Sequence, residues 1–216
     1  MGFSVAAKIA TGAVGVGAVA GGGAFASYKF LTRNTIEKYL NSLHRELATS
    51  EEDWELIKNN YSAEKEANPI PNIPKSSIGD KLSELKRWCN NRMKEEFSKE
   101  KADRGDYNLI QTWCTKQVKI SSQLKHLKLT ALETTGTKDN SHWTRLKDSY
   151  PNGNFKVNEI TTASSGGVKS EGSEVSNLSG SDQKIKDWCS WASDQYFKHK
   201  EDILFKRYKY FCTKPD

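Results

Sequence analysis

The residues with the strongest chemistry in this chain are four cysteines, Cys89, Cys114, Cys189 and Cys212, and four histidines, His44, His126, His142 and His199. A thiolate beside an imidazole is a nucleophile, four thiolates and imidazoles at close spacing hold zinc, and thiols in pairs make disulfides. The first use needs an exposed, electropositive thiol. These cysteines stand on apolar helical faces, two of them directly after Trp88 and Trp188. The second use is opposed by the absence of a C-x-x-C pair and of histidines at ligand spacing.

Other chemical signals are weaker. Glu51-Glu52-Asp53 and Glu95-Glu96 read as helix-start and solvated-face charges rather than paired acids in a cleft. The chain has no phosphate-binding G-x-x-x-x-G-K-[ST] loop and no H-E-x-x-H. Gly15-Val16-Gly17-Ala18-Val19-Ala20 matches the dinucleotide spacing G-x-G-x-x-A, but no strand precedes it. Arg104-Gly105-Asp106 spells the cell-adhesion tripeptide, where a turn between two helices already accounts for Gly and Asp.

The cysteines belong to a doubled pattern. Leu85-Lys86-Arg87-Trp88-Cys89 is matched by Ile185-Lys186-Asp187-Trp188-Cys189, and a phenylalanine follows each cysteine at the same spacing, Phe97 and Phe197. Each copy closes on Cys-Thr-Lys, at Cys114-Thr115-Lys116 and Cys212-Thr213-Lys214. Each opens on a Trp-x-x-aliphatic-Lys-x-x-Tyr block, from Trp54 to Tyr61 and from Trp143 to Tyr150. Matched spacing within blocks implies a duplicated helical unit, with each copy covering an apolar face of the other.

One cysteine pair per copy suggests Cys89 with Cys114 and Cys189 with Cys212. Four cysteines allow three pairings, and the sequence alone does not choose among them. On a straight helix such partners would lie roughly 35 Å apart, far beyond disulfide reach, so each pair requires a helical hairpin. Buried reduced thiols packed beside tryptophan are the plainer alternative.

The elements that must position these residues follow from periodicity. Asn34 or Thr35 caps a helix through Ile36, Leu40, Leu43 and Leu47, and Ser50 with Asp53 opens a second carrying Trp54, Ile57 and Tyr61. Pro69, Pro71 and Pro74 demand an extended linker. A helix from about Ser77 runs through Leu82, Leu85, Cys89, Met93 and Phe97; another carries Tyr107, Ile110, Cys114, Val118 and Leu124. A short helix at 141–149 holds Trp143 and Leu146. Residues 155–161 alternate weakly, and 162–182 are Ser, Gly, Glu and Lys, which reads as a disordered loop. The last helical stretch takes Ile185, Trp188, Cys189, Ala192, Tyr196 and Phe197 and continues to Cys212, with a faint break near 199–202.

Composition supports packed helices with solvated outer faces. The mean hydropathy is −0.74, yet the chain holds six Trp, eight Tyr and eight Phe, too many aromatics for a disordered polyelectrolyte. The net charge of +6 permits attraction to anionic partners, but lysines interleave with glutamates along the chain.

Residues 9–28 carry no charge and six glycines, long enough to span a bilayer, with Gly17-x-x-x-Gly21 as a small-residue face. Ala24-x-Ala26 fits a signal-cleavage site, so the segment reads as a membrane anchor or a signal. Lys8 before it and Lys29 and Arg33 after it leave the orientation open.

The Ala/Gly-rich start at 6–26, the Trp54-x-x-Ile57-Lys58-x-x-Tyr61 block and the two Leu/Ile-x-x-Trp-Cys blocks together resemble the paralogous protein families of haemotropic mycoplasmas. That resemblance implies a membrane-anchored or exported protein at the surface of a wall-less bacterium, facing its host.

The expected fold is all-α: an N-terminal transmembrane or signal helix at 1–32, a helical repeat at 33–124 and a second at 125–216 with the disordered loop inside it. The expected function is non-enzymatic: a single-pass membrane or secreted surface protein, its C-terminal domain extracellular, engaging the bilayer through the N-terminal segment and an unidentified protein or host surface through the rest, with no catalytic, cofactor-binding or metal-binding residue. No nucleic-acid partner is expected. The alternative is a basic helical module contacting nucleic acid or anionic lipid.

Overall fold

The computed structural model describes residues 33–151, 155–162, 167–178 and 181–215. The segment expected to meet the membrane, and the dinucleotide-like glycines within it, lie outside these residues. Among the described residues no helix is long and apolar enough to cross a membrane.

The first copy begins with α1 (Ile36–Ser42), capped by the Thr35 hydroxyl, which accepts from Lys38 N at 3.4 Å. The helix stops short of Leu47 because His44 turns into the left-handed region (φ 56). α2 (Glu51–Ser62) opens on a reciprocal cap: Asp53 N donates to Ser50 Oγ and Ser50 N to Asp53 Oδ2, both at 3.1 Å. α3 (Ile78–Met93), α4 (Lys99–Asp103) and α5 (Asn108–Trp113) complete the copy. The second copy has α6 (Ile120–Gln123), α7 (Asn140–Asp148), α8 (Gln183–Ser193) and α9 (Ile203–Cys212), with two strands before α8.

Those strands overturn the all-α expectation. β1 (Asn158–Thr162) and β2 (Lys169–Glu174) pair antiparallel, Asn158 opposite Glu174 and Thr162 opposite Lys169. Part of the stretch expected to be a disordered loop is therefore a paired strand. Its polar residues hid it, because neither strand face is fully buried and the hairpin is held largely by polar contacts. Trp188 Nε1 donates to Glu171 Oε1 at 2.9 Å, and Arg207 Nη2 donates to Asn158 Oδ1 at 2.9 Å.

The hairpin grows from a device that both copies share. In the first copy the Tyr61 hydroxyl donates to Ile73 O (2.6 Å) and accepts from Ile70 N (3.0 Å), closing a tight turn over Pro71 and Asn72. The proline-rich stretch is thus a buried clip, with Ile70 and Ile73 in the core, and not an extended linker. In the second copy the Tyr150 hydroxyl donates to Val175 O (2.7 Å) and accepts from Val157 N (3.1 Å). The strands are an insertion between Val157 and Val175, where the first copy has two residues.

Backbone bridges fix the rest of the correspondence. Ile36 N donates to Glu95 O and Phe97 N to Asn34 O; their counterparts are Ile120 N to Gln195 O and Phe197 N to Val118 O. Ala48 N donates to Cys114 O and Lys116 N to Glu46 O; their counterparts are Leu132 N to Cys212 O and Lys214 N to Thr130 O. These bridges end α3 and α8 before the phenylalanines expected to continue them, because Phe97 and Phe197 must be extended to pair. One core holds residues from Ile36 to Cys114 and another from Ile120 to Cys212, so Ile120 and Leu124 pack with the second copy. Residues 34–216 nonetheless form one compact unit.

Candidate functional site

Each disulfide forms within its own copy. Cys89, on α3, joins Cys114, just past α5, with Cα atoms 5.4 Å apart; Cys189, on α8, joins Cys212, at the end of α9, at 5.5 Å. The helical hairpin each pair requires is supplied by the breaks at 94–98 and 194–202. All four sulfurs are buried and none is free. A thiolate nucleophile is therefore removed from consideration, and the two disulfides indicate an extracellular or otherwise oxidising location.

The histidines do not gather around the sulfurs. His44 and His126 stack on each other at 4.2 Å across the junction of the copies. His199 is half-buried, its enclosed Nδ1 has no partner among the described residues, and burial, with Arg45 and Lys198 nearby, lowers its pKa against the pull of Asp202 and Glu201. Among the described residues no three His, Cys, Asp or Glu side chains are grouped as a metal site. Arg104 and Asp106 of the adhesion-like tripeptide bind each other at 2.9 Å, and Gly105 takes a positive φ of 83° in the turn.

Arg45 joins the copies. It is 2% exposed. Its Nε and Nη2 donate to Thr115 Oγ1, Nη2 also to Gln111 O, and Nη1 to Phe197 O at 3.0 Å. Gln123 Nε2 adds a bond to Leu43 O, and Lys198 reaches Glu64 at 2.5 Å. Burial lowers the Arg45 pKa to about 10, so it stays charged at neutral pH. Nothing in the one-dimensional pattern marks Arg45: its counterpart is Leu129, on the same backbone turn.

A groove of about 690 Å³ lies on the second copy, between α7 and α9. Arg145, Lys206, Lys209 and Lys214 line it, with His142 beside them, and among the described residues no acid does. Arg145 Nη2 donates toward the His142 ring at 3.0 Å; burial, then this guanidinium, lowers the His142 pKa. The lysines already have partners: Lys206 is compensated by Glu201 (2.5 Å) and Lys214 by Asp139 (3.2 Å), and Lys209 is also engaged. Phe155 and Tyr210 supply an aromatic wall, rings 5.6 Å apart, and Tyr210 is 40% exposed.

Sequence reasoning, which saw lysines and glutamates interleaved, missed this concentration. A signal existed in the comparison of the two copies. At the positions of Arg145, Lys206, Lys209 and Tyr210 the first copy has Leu56, Asn108, Gln111 and Thr112; only Lys214 has a basic counterpart, Lys116.

Fold and groove together define a class: a duplicated helical domain, each copy closed by one disulfide and one tyrosine clip, with a basic groove on the second. No protein-family model, curated protein or solved structure matches the chain.

Proposed function

We propose that residues 34–216 are a non-enzymatic recognition domain displayed outside the cytoplasm and attached to the bilayer through the uncharged stretch at 9–28. The observation that carries this reading is the pair of buried disulfides, because such bonds persist in oxidising surroundings and are rare in a reducing cytosol. The apolar stretch and the resemblance to surface-associated families of haemotropic mycoplasmas support it. In this reading the residues best suited to chemistry, the cysteines, serve as staples, and the polar outer faces meet the host.

Protease treatment of intact cells, followed by reducing and non-reducing gels, tests it. The expected result is loss of the domain to external protease and a mobility change on reduction. A domain that is cut only after lysis, or that runs identically with and without reductant, removes the proposal.

A second reading, a module contacting nucleic acid or anionic lipid, draws on the basic groove. Tighter binding of the folded domain to single-stranded DNA or anionic vesicles than to acidic sugars would favour it.

A further inference from the structure

The two copies pack head to tail, and that arrangement leaves one face unmatched. In the first copy the face formed by Arg45, Asn108, Gln111 and Thr115 is covered by the second copy: Arg45 reaches Phe197 O, and Gln111 is 8% exposed. The backbone correspondence maps those positions onto Leu129, Lys206, Lys209 and Thr213. Lys206, Lys209 and Thr213 of this set line the groove, whereas Leu129 lines an adjoining cleft with Glu201, so the groove overlaps the second copy's equivalent of the covered face.

The groove is also strongly basic. It carries Arg145, Lys206, Lys209 and Lys214, where the first copy has one cation, Lys116, at the matching positions. Among the described residues no acid lines it, in a chain that holds 27 acidic residues against 33 basic ones. It also gains Phe155 and Tyr210 in place of Asn68 and Thr112. Four cations along a cleft attract a polyanion, and a guanidinium holds planar oxyanions through paired N–H groups. An exposed aromatic face adds an apolar platform for a ring.

Another copy of this chain is a poor occupant. The clamp that seats the second copy on the first depends on Arg45, and Leu129 cannot donate those bonds.

We propose that this open face binds an acidic polysaccharide, whose sulfate or carboxylate groups are held by Arg145, Lys206, Lys209 and Lys214 and one of whose sugar rings lies against Tyr210. The choice of polysaccharide over nucleic acid rests on the location proposed above; the anionic character of the ligand does not.

The test uses the full oxidised chain in mild detergent, with a heparin octasaccharide as probe, read by titration calorimetry at physiological ionic strength. Saturable binding is expected. Arg145→Glu with Lys209→Glu weakens it about tenfold or more, whereas Lys81→Glu with Lys99→Glu on α3 and α4, the same charge change, weakens it about twofold at most. Tyr210→Ala lowers affinity and leaves the salt dependence unchanged, because a stacking contact releases no counterions. Should the double reversal fail to form both disulfides, Lys209→Gln and Tyr210→Ala carry the comparison. Equal losses in the two double variants, no saturable binding, tighter binding of single-stranded DNA or anionic vesicles, or groove-dependent self-association in sedimentation would each overturn the proposal. Failure of surface proteolysis alongside groove-dependent heparin binding would remove the exterior location and keep the anion site.

Discussion

Arg45 is a cation with no carboxylate against it among the described residues, yet it sits in the interior. Its environment compensates through neutral acceptors and dipoles. Gln111 O lies in the last turn of α5, where unpaired carbonyls gather partial negative charge, and the ring of Phe197 faces the guanidinium at 5.3 Å. Breaking this set strands buried polar groups on both copies. His199, close by, makes the opposite demand, because it is held neutral. The unfolded chain takes up its proton near the ordinary histidine value of about 6.5, while the folded chain takes it up only at lower pH. Below about pH 7 the unfolded state therefore binds more protons, and stability falls as pH drops. Denaturant titrations between about pH 7.5 and about pH 5 should show this loss, and His199→Gln should flatten it. The carboxylates with lowered values, Glu46 and Glu201 among them, act in a more acidic window, through their salt bridges and hydrogen bonds.

At the scale of elements, the same tyrosine clip carries two different loops. The first copy closes it with Pro71 and Asn72, Asn72 in the left-handed region (φ 67); the second closes it with an entire hairpin. If the hairpin is an accessory, replacing residues 158–174 by Pro-Asn should leave a domain that still forms Cys189–Cys212. The cost should be about 2 kcal/mol, because Trp188 Nε1 and Arg207 lose Glu171 and Asn158. Urea unfolding and a non-reducing gel check this. Failure to regain the native disulfides would show that the strands guide the folding of α8 against α9. The hairpin's polar faces explain why it was illegible: Ile160 and Val157 are its only aliphatic anchors before the turn, and a strand stabilised by cross-strand polar pairs has no period-two signature. The helices were legible because buried stripes recur at three and four residues; their ends were not, because Met93, Trp113 and Ser193 stop where a backbone bridge to another element begins.

For the whole molecule, each copy has its own core and its own staple. A disulfide closing a loop of this size contributes about 3 kcal/mol, mainly by restricting the unfolded chain, against a total stability of about 5–15 kcal/mol for a domain. Removing one, by Cys89→Ala with Cys114→Ala, should lower unfolding stability by about that amount and leave a folded domain; reducing both should unfold it at physiological temperature. Calorimetric melting of the oxidised, singly deleted and fully reduced protein measures the series. An unchanged melting point on full reduction would mean that the cores alone suffice.

The sequence by itself determined the duplication, the positions of both cysteine pairs, the capping of α1 and α2 and most of the buried stripe, because each is local or repeats at fixed spacing. It also determined that the cysteines were poor nucleophiles, since both copies keep them in the same apolar setting. Only the tertiary structure decided which of the three cysteine pairings forms, that a polar stretch pairs as strands, that Arg45 bridges the copies, and that four dispersed cations converge on one groove. Each of these depends on residues far apart in the chain meeting in space. Periodicity records which face of an element is buried, and carries no record of what that face meets.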